Sequence, residues 1–194
     1  MANIAGPEEP NRGNTMAGKK SDSPGLGSAS PSHLGRNAIQ DFAESISQKF
    51  SLTVFSGGED PLQKFIKSIG GRIHYQDSAD FMTSESGSIA VQGRNDFDVY
   101  LSAFTGPLRD RFTLAHELGH YFIHSNQGVT PIRASRRGSG PIETEANWFA
   151  AALLMPSEEF ASMASAFNND ANALAGHFQV SVRAVEVRLS SVKR

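Results

Sequence analysis

The chain has 194 residues, a formal net charge of −2 and no cysteine. This length suits one domain with a tail, and the near-neutral charge argues against the broad basic field of an autonomous nucleic-acid binder. Without thiols there is neither a disulfide framework nor a thiolate zinc site, so any metal must be held by nitrogen and oxygen.

Residues 1–36 are dominated by Gly, Pro, Ser, Asn and charge, and are predicted to form a disordered polar tail. Within it Lys19-Lys20 is too short for a nucleic-acid tract. The N-terminus has no apolar run of the signal-peptide kind, and no stretch approaches the roughly eighteen apolar residues of a membrane span. The expected compartment is the cytoplasm, with no membrane association.

The domain is expected over 37–194. Ala38, Ile39, Phe42, Ile46 and Phe50 recur at helical spacing and predict an amphipathic first helix. Asp60-Pro61 is an N-cap followed by proline in the first helical turn, starting a helix over Leu62–Ile69 that stops at Gly70-Gly71. Arg72–Tyr75 is a short strand candidate, and Gly87–Gln92 with Phe97–Leu101 predicts a hairpin turning at Gly93–Asp96. A small antiparallel sheet is therefore expected beside the helix that follows. Its edge can either hold an extended peptide by backbone pairing or be purely structural. His74 is expected to be structural.

The central stretch is Arg111-Phe-Thr-Leu-Ala-His116-Glu117-Leu-Gly-His120-Tyr-Phe-Ile-His124, introduced by Gly106-Pro107. On a helix His116 and His120 project from one face a turn apart, as a metal-binding pair does. Glu117 lies beside that face, where a carboxylate can take a proton from a metal-bound water without ligating the ion. This H-E-x-x-H pattern is the zinc-peptidase signature, and the flanking Phe112, Leu114, Leu118 and Ile123 predict a buried helix in which unpartnered histidines are costly. The metzincin continuation requires Gly and His where this chain has Ile123 and Asn126, so that subclass is excluded. His124 lies one turn farther, about 6 Å along the axis, and is expected in a supporting or rim position rather than as a ligand.

A third protein ligand must come from elsewhere, and Pro141–Pro156 is a second apolar helix with two acids near its start. Glu143 is favoured over Glu145, because Asn147, one turn beyond Glu143, can then hydrogen-bond the outer nitrogen of a ligand histidine. Acids in a first turn also suit the helix dipole, so both remain candidates. The polar loop between the helices groups Arg133, Arg136 and Arg137, which either face solvent or meet an acidic partner or substrate carboxylate. Residues 157–194 form a C-terminal helical segment in which 171–189 imitates a helix-turn-helix. Its second helix offers only Arg183 and Arg188 to phosphates, so packing is expected and direct nucleic-acid binding is not. His177 is a weaker candidate for stabilising an oxyanion.

Three blocks in order, H-E-L-G-H-Y at 116–121, Glu143-x-Glu145-Ala-Asn147-x-Phe149-Ala-Ala-x-Leu-Leu-Met-Pro156, and Phe178-x-Val-Ser181-x-x-Ala-Val-x-x-Arg188-Leu189, closely resemble the ImmA/IrrE family of metallo-endopeptidase-like proteins. The resemblance runs over roughly residues 38–190; the long polar leader departs from the family pattern. It implies a compact domain around the H-E-x-x-H helix, one zinc ion per chain, and, as in many relatives, cleavage or inactivation of a helix-turn-helix repressor. By resemblance His116, His120 and Glu143 are the metal ligands and Glu117 is the general base. The expected fold is α+β: a zincin-like helical domain with a small antiparallel sheet and a C-terminal helix-turn-helix-like segment.

Three functions follow as expectations. The first is a zinc endopeptidase cleaving a cytoplasmic repressor or antitoxin of a phage, mobile-element or stress-response circuit. The second is a non-catalytic zinc-containing regulator that binds and inactivates a transcription factor. The third and weakest is direct DNA binding through 171–189.

Overall fold

The computed structural model describes residues 25–77, 87–135 and 140–192. In chain order these form β1 (Gly27–Ser28), α1 (Arg36–Phe50), α2 (Pro61–Ser68), β2 (Gly71–Gln76), β3 (Gly87–Gly93), β4 (Asp96–Ser102), α3 (Pro107–Gly119), β5 (Ile132–Ser135), α4 (Pro141–Leu154), α5 (Ser157–Ala166), α6 (Ala171–Phe178) and α7 (Val182–Val192). A π-helical segment, His120–His124, continues α3 directly. The fold is α+β, with a five-stranded mixed sheet among the described residues.

Local chemistry accounts for most element ends. Asp60 Oδ1 accepts the Leu62 N–H at 2.8 Å and Pro61 occupies the first turn of α2. Asp60 also pairs with Arg111, whose guanidinium donates to the Leu52 carbonyl at 2.8 Å, so one acid both caps α2 and ties it to α3. Arg111 is only 3% exposed and lies over the Phe55 ring, so breaking this tie would strand a buried charge.

The strand order is β1-β5-β3-β4-β2. The expected hairpin is present: β3 and β4 pair antiparallel, with Gly93 opposite Asp96 and a register irregularity between Val91 and Gly93. The sheet as a whole differs from the antiparallel one expected, because both edges are parallel: β2 pairs with β4 and β1 with β5. The register supplies the reason. Gln76 ends β2 opposite Ser102, and Gly87 begins β3 opposite Leu101 on the other side of β4, so β2 and β3 run in opposite directions and flank β4.

The predicted tail differs at its C-terminal end. Residues 1–24 lie outside the described residues, but 25–35 rest on the domain: the Gly27 N–H donates to the Pro131 carbonyl at 3.2 Å, and Ala29 packs on the core. Composition alone misses this contact, because it rests on backbone pairing with the edge of β5 rather than on apolar side chains.

Helix α3 crosses the middle of the fold and is buried from Arg111 through Gly119 except at Phe112. It packs most closely on α4. A Cβ on Gly119 would sit 3.0 Å from the Ala146 Cα, so glycine is what lets the two backbones approach. Phe42 of α1, Phe122 and Phe149 of α4 form an aromatic group with centroids 5.7–6.3 Å apart, which fixes α1 and α4 against the end of the α3 column. Among the described residues no helix is long and apolar enough to cross a membrane.

Candidate metal centre

His116 and His120 leave α3 on one face, and both are fully buried. The first turn of α4 brings Glu143 to them, with its side chain 12% exposed. The Nε2 atoms of the histidines are 3.2 Å apart; His116 Nε2 lies 3.1 Å from Glu143 Oε2, and His120 Nε2 lies 3.6 Å from Oε1. A tetrahedral zinc with bonds of about 2.0–2.2 Å has ligand–ligand edges of roughly 3.4 Å, and one ligand atom from each of the three residues lies within 4.8 Å of the other two. Three electron-pair donors from two helices thus form a group that can hold a metal ion. Two imidazoles and a carboxylate suit zinc and similar divalent ions.

The outer nitrogens are held as well. His116 Nδ1 is 3.0 Å from Asn147 Oδ1, the contact expected from their spacing. If the amide oxygen accepts, Nδ1 carries the proton and Nε2 presents its lone pair to the ligand triangle. His120 Nδ1 is 3.1 Å from His124 Nδ1, and His124 Nε2 is 3.1 Å from Glu145 Oε2, which also accepts the Ser32 N–H at 2.9 Å. His124 and Glu145, the two alternative ligands, thus stand behind His120, and Glu143 is the acid that faces the pair. Burial pushes the His124 pKa below its ordinary value, with Glu145 opposing that shift. The π-helical turn closes with the Ser125 N–H donating to the His120 carbonyl at 2.9 Å. Such turns often occur where a helix carries a functional group.

Glu117 is fully buried on the same helix. A Cβ on Gly87 would lie 3.0 Å from Glu117 Oε1 and 2.4 Å from Thr113 Cγ2, so the start of β3 comes directly against this carboxylate. In the sequence Gly87 is simply the first residue of a predicted strand, and the signal for its role is that a strand glycine often marks a close approach. The Ser32 contact had no such signal, since it joins residues 113 apart.

Other candidates lie elsewhere. His177 is engaged by Glu159 at 3.1 Å and packs against Phe167 and Phe178. His74 bonds Asp98 at 2.7 Å and stacks on Tyr100. Arg188 is 5% exposed, donating to the Met155 carbonyl and Glu44, while Arg183 pairs with Glu186 on the surface. Arg133 is on β5; Arg136 and Arg137 fall outside the described residues. A cleft of about 990 Å³ runs between α1, α3, α4 and α7, lined by Phe112, Thr144, Asn147 and Trp148 with Arg36 and Arg109 at its sides.

A buried H-E-x-x-H helix beside a mixed sheet, with a second helix carrying a carboxylate to the histidine pair, defines a metallopeptidase-like α+β domain. The chain belongs to the Peptidase_M78 family, matching its IrrE N-terminal-like domain over residues 72–190. Among solved structures, a Mycobacterium tuberculosis transcriptional regulator is similar over 81% of this chain, with 18% sequence identity and a TM-score of 0.55. The chain spans about half of that protein, covering 48% of its length, and the likeness is one of fold. Among curated proteins none matches.

Proposed function

We propose that the protein is a zinc-dependent endopeptidase with His116, His120 and Glu143 as ligands and Glu117 as the general base. The carrying observation is the close convergence of His116, His120 and Glu143, with one ligand atom of each within 4.8 Å of the others, beside a fully buried Glu117 on the histidines' helix. Zinc, when bound there, supplies a Lewis acid that acidifies a water and polarises a carbonyl. Asn147 keeps a proton on His116 Nδ1 and so directs its Nε2 inward. Glu117 takes a proton on its carboxylate from the attacking water and passes it to the leaving amine. The cleft that reaches Asn147 has apolar walls with arginines at its sides, and His116, Glu117, His120 and Glu143 lie outside its lining.

By family kinship the substrate is a cytoplasmic transcriptional repressor or antitoxin of helix-turn-helix type, in a phage, mobile-element or stress-response circuit. The zinc-loaded chain and its Glu117→Gln variant, each incubated with a proteome-derived peptide library, test the chemistry. Both should hold one zinc, and the variant should cleave at least about 100-fold more slowly. Equal cleavage by the two would remove Glu117 from the reaction.

A second reading is favoured by the name of the similar solved structure, a transcriptional regulator. In it the domain binds and inactivates a transcription factor without cutting it, with the metal stabilising the fold. Glu117→Gln then leaves the regulatory effect intact.

A further inference from the structure

Behind the ligand triangle lies a second connected chain, buried at its histidines and Glu145 and half-buried at Ser32: the Ser32 N–H to Glu145 Oε2, Glu145 Oε2 to His124 Nε2, and His124 Nδ1 to His120 Nδ1, at 2.9, 3.1 and 3.1 Å. The His124 side chain is fully buried and that of Glu145 is 9% exposed. An acid serving only the helix dipole would face solvent, where it keeps its hydration. Glu145 instead turns inward onto an imidazole.

The protonation pattern along this chain is determined by its two ends. A carboxylate is an acceptor, so His124 Nε2 must carry a proton toward Glu145. In the uncharged ring Nδ1 is then bare and accepts, so the proton between the two Nδ1 atoms belongs to His120. With its proton on Nδ1, His120 presents the Nε2 lone pair to His116 and Glu143. Among uncharged side chains only imidazole can accept on one side and donate on the other across a rigid ring in this way. An alternative residue at position 124 breaks the sequence of donors and acceptors, and a half-satisfied buried network is costly.

We propose that His124 and Glu145 are positioning residues that fix the tautomer and orientation of His120, and that the segment 25–35 is fastened to this relay through the backbone of Ser32. This rests on the reading of His116, His120 and Glu143 as a metal centre. The segment is held at two points, by parallel pairing of Gly27–Ser28 with β5 and by the Ser32 N–H. Its placement is thereby coupled to the metal centre through Glu145, with no contact to the ion itself.

The test is zinc affinity of the full chain, measured by competition with a chromophoric chelator, together with long-range ¹H–¹⁵N correlation spectra of the histidine rings in the wild type. Glu145→Ala and His124→Phe should weaken zinc binding about 10- to 100-fold. Glu145→Gln should recover most of the loss, since its carbonyl oxygen can still accept from His124. Ser32→Pro, which removes the N–H, should weaken binding a few-fold, whereas Ser32→Ala, which retains it, should not. The wild-type spectra should show His120 protonated on Nδ1 and His124 on Nε2. Wild-type affinity in Glu145→Ala and His124→Phe, or the opposite tautomers, would overturn the relay. His116→Ala separates the two levels: if it loses zinc while the relay variants do not, the relay alone is wrong, and if it also keeps zinc, the metal centre itself is misassigned. Should Glu145→Ala fail to fold, the Gln variant and the tautomers decide.

Discussion

The cluster at Asp98 and the group at His116 both combine histidine with carboxylate, and they are organised in opposite ways. On the sheet, Asp98 is ringed by donors: Arg72 contacts it with Nε and Nη2 at 2.7 and 2.8 Å, His74 at 2.7 Å and Gln92 at 3.0 Å. Every lone pair of the acid is directed at an N–H, and Arg72 and His74 are about half exposed. At the α3–α4 contact, the Nε2 atoms of His116 and His120 and the carboxylate of Glu143 converge in a buried space, and each outer ring nitrogen has a partner of its own. A carboxylate surrounded by donors is already satisfied. Acceptors brought together at 3.1–3.6 Å repel unless a cation lies among them. Both groups pair imidazole with carboxylate, but only the second brings ring nitrogens and a carboxylate together as a group that could hold a metal ion.

The contrast can be broken most forcefully at the ligands. His116→Ala or Glu143→Ala should lower zinc affinity on the order of 100-fold or more, read by elemental analysis after dialysis against a weak chelator, while His74→Ala and Asp98→Asn retain the ion. A next, smaller effect is expected at Gly87. Gly87→Ala forces a methyl group against Thr113 and Glu117, and should cost about 1–3 kcal/mol of stability in urea unfolding and slow hydrolysis with zinc still bound. Smallest is the sheet cluster. Asp98→Asn should cost about 1 kcal/mol or less at neutral pH, since its partners are well exposed to solvent. That difference has a sign in pH. Arg72 beside Asp98 holds its carboxyl below the ordinary carboxylate value, so its stabilising contribution is complete above about pH 3.9 and fades as pH falls toward the folded pKa. Thermal melts of wild type and Asp98→Asn should therefore converge on acidification below that point. A gap that widens in acid would show that Asp98 is not charged in the folded state.

Several parts of this arrangement were readable in one dimension because they are local. The spacing of His116 and His120 places both rings on one helical face whatever surrounds them. The same holds for Glu143 and Asn147, for the turn at Gly93–Asp96 and for the Asp60 cap of α2, where side chain and backbone partner are two residues apart. Helical and strand periods carry such information within a few residues. Of the five residues whose period marked the apolar face of α1, Ile39, Phe42 and Ile46 pack into the core, while Ala38 and Phe50 near the helix ends are exposed.

What remained open depended on contacts that no local period encodes. Whether Glu143 or Glu145 turns toward the histidines follows from how α4 is rotated against α3, which the close backbone contact at Gly119 and Ala146 sets. The position of His124 behind His120 depends on the same packing. The parallel edges of the sheet follow from which side of β4 each strand occupies, and the fastening of residues 25–35 from a hydrogen bond spanning 113 residues. By itself the amino-acid sequence determined the chemistry available, a pair of imidazoles, a neighbouring carboxylate and a choice of acids, because side-chain spacing on a helix is a local property. Only the tertiary structure decided which acid faces the histidine pair and which groups stand behind it, because those are consequences of two helices and a strand meeting at fixed angles.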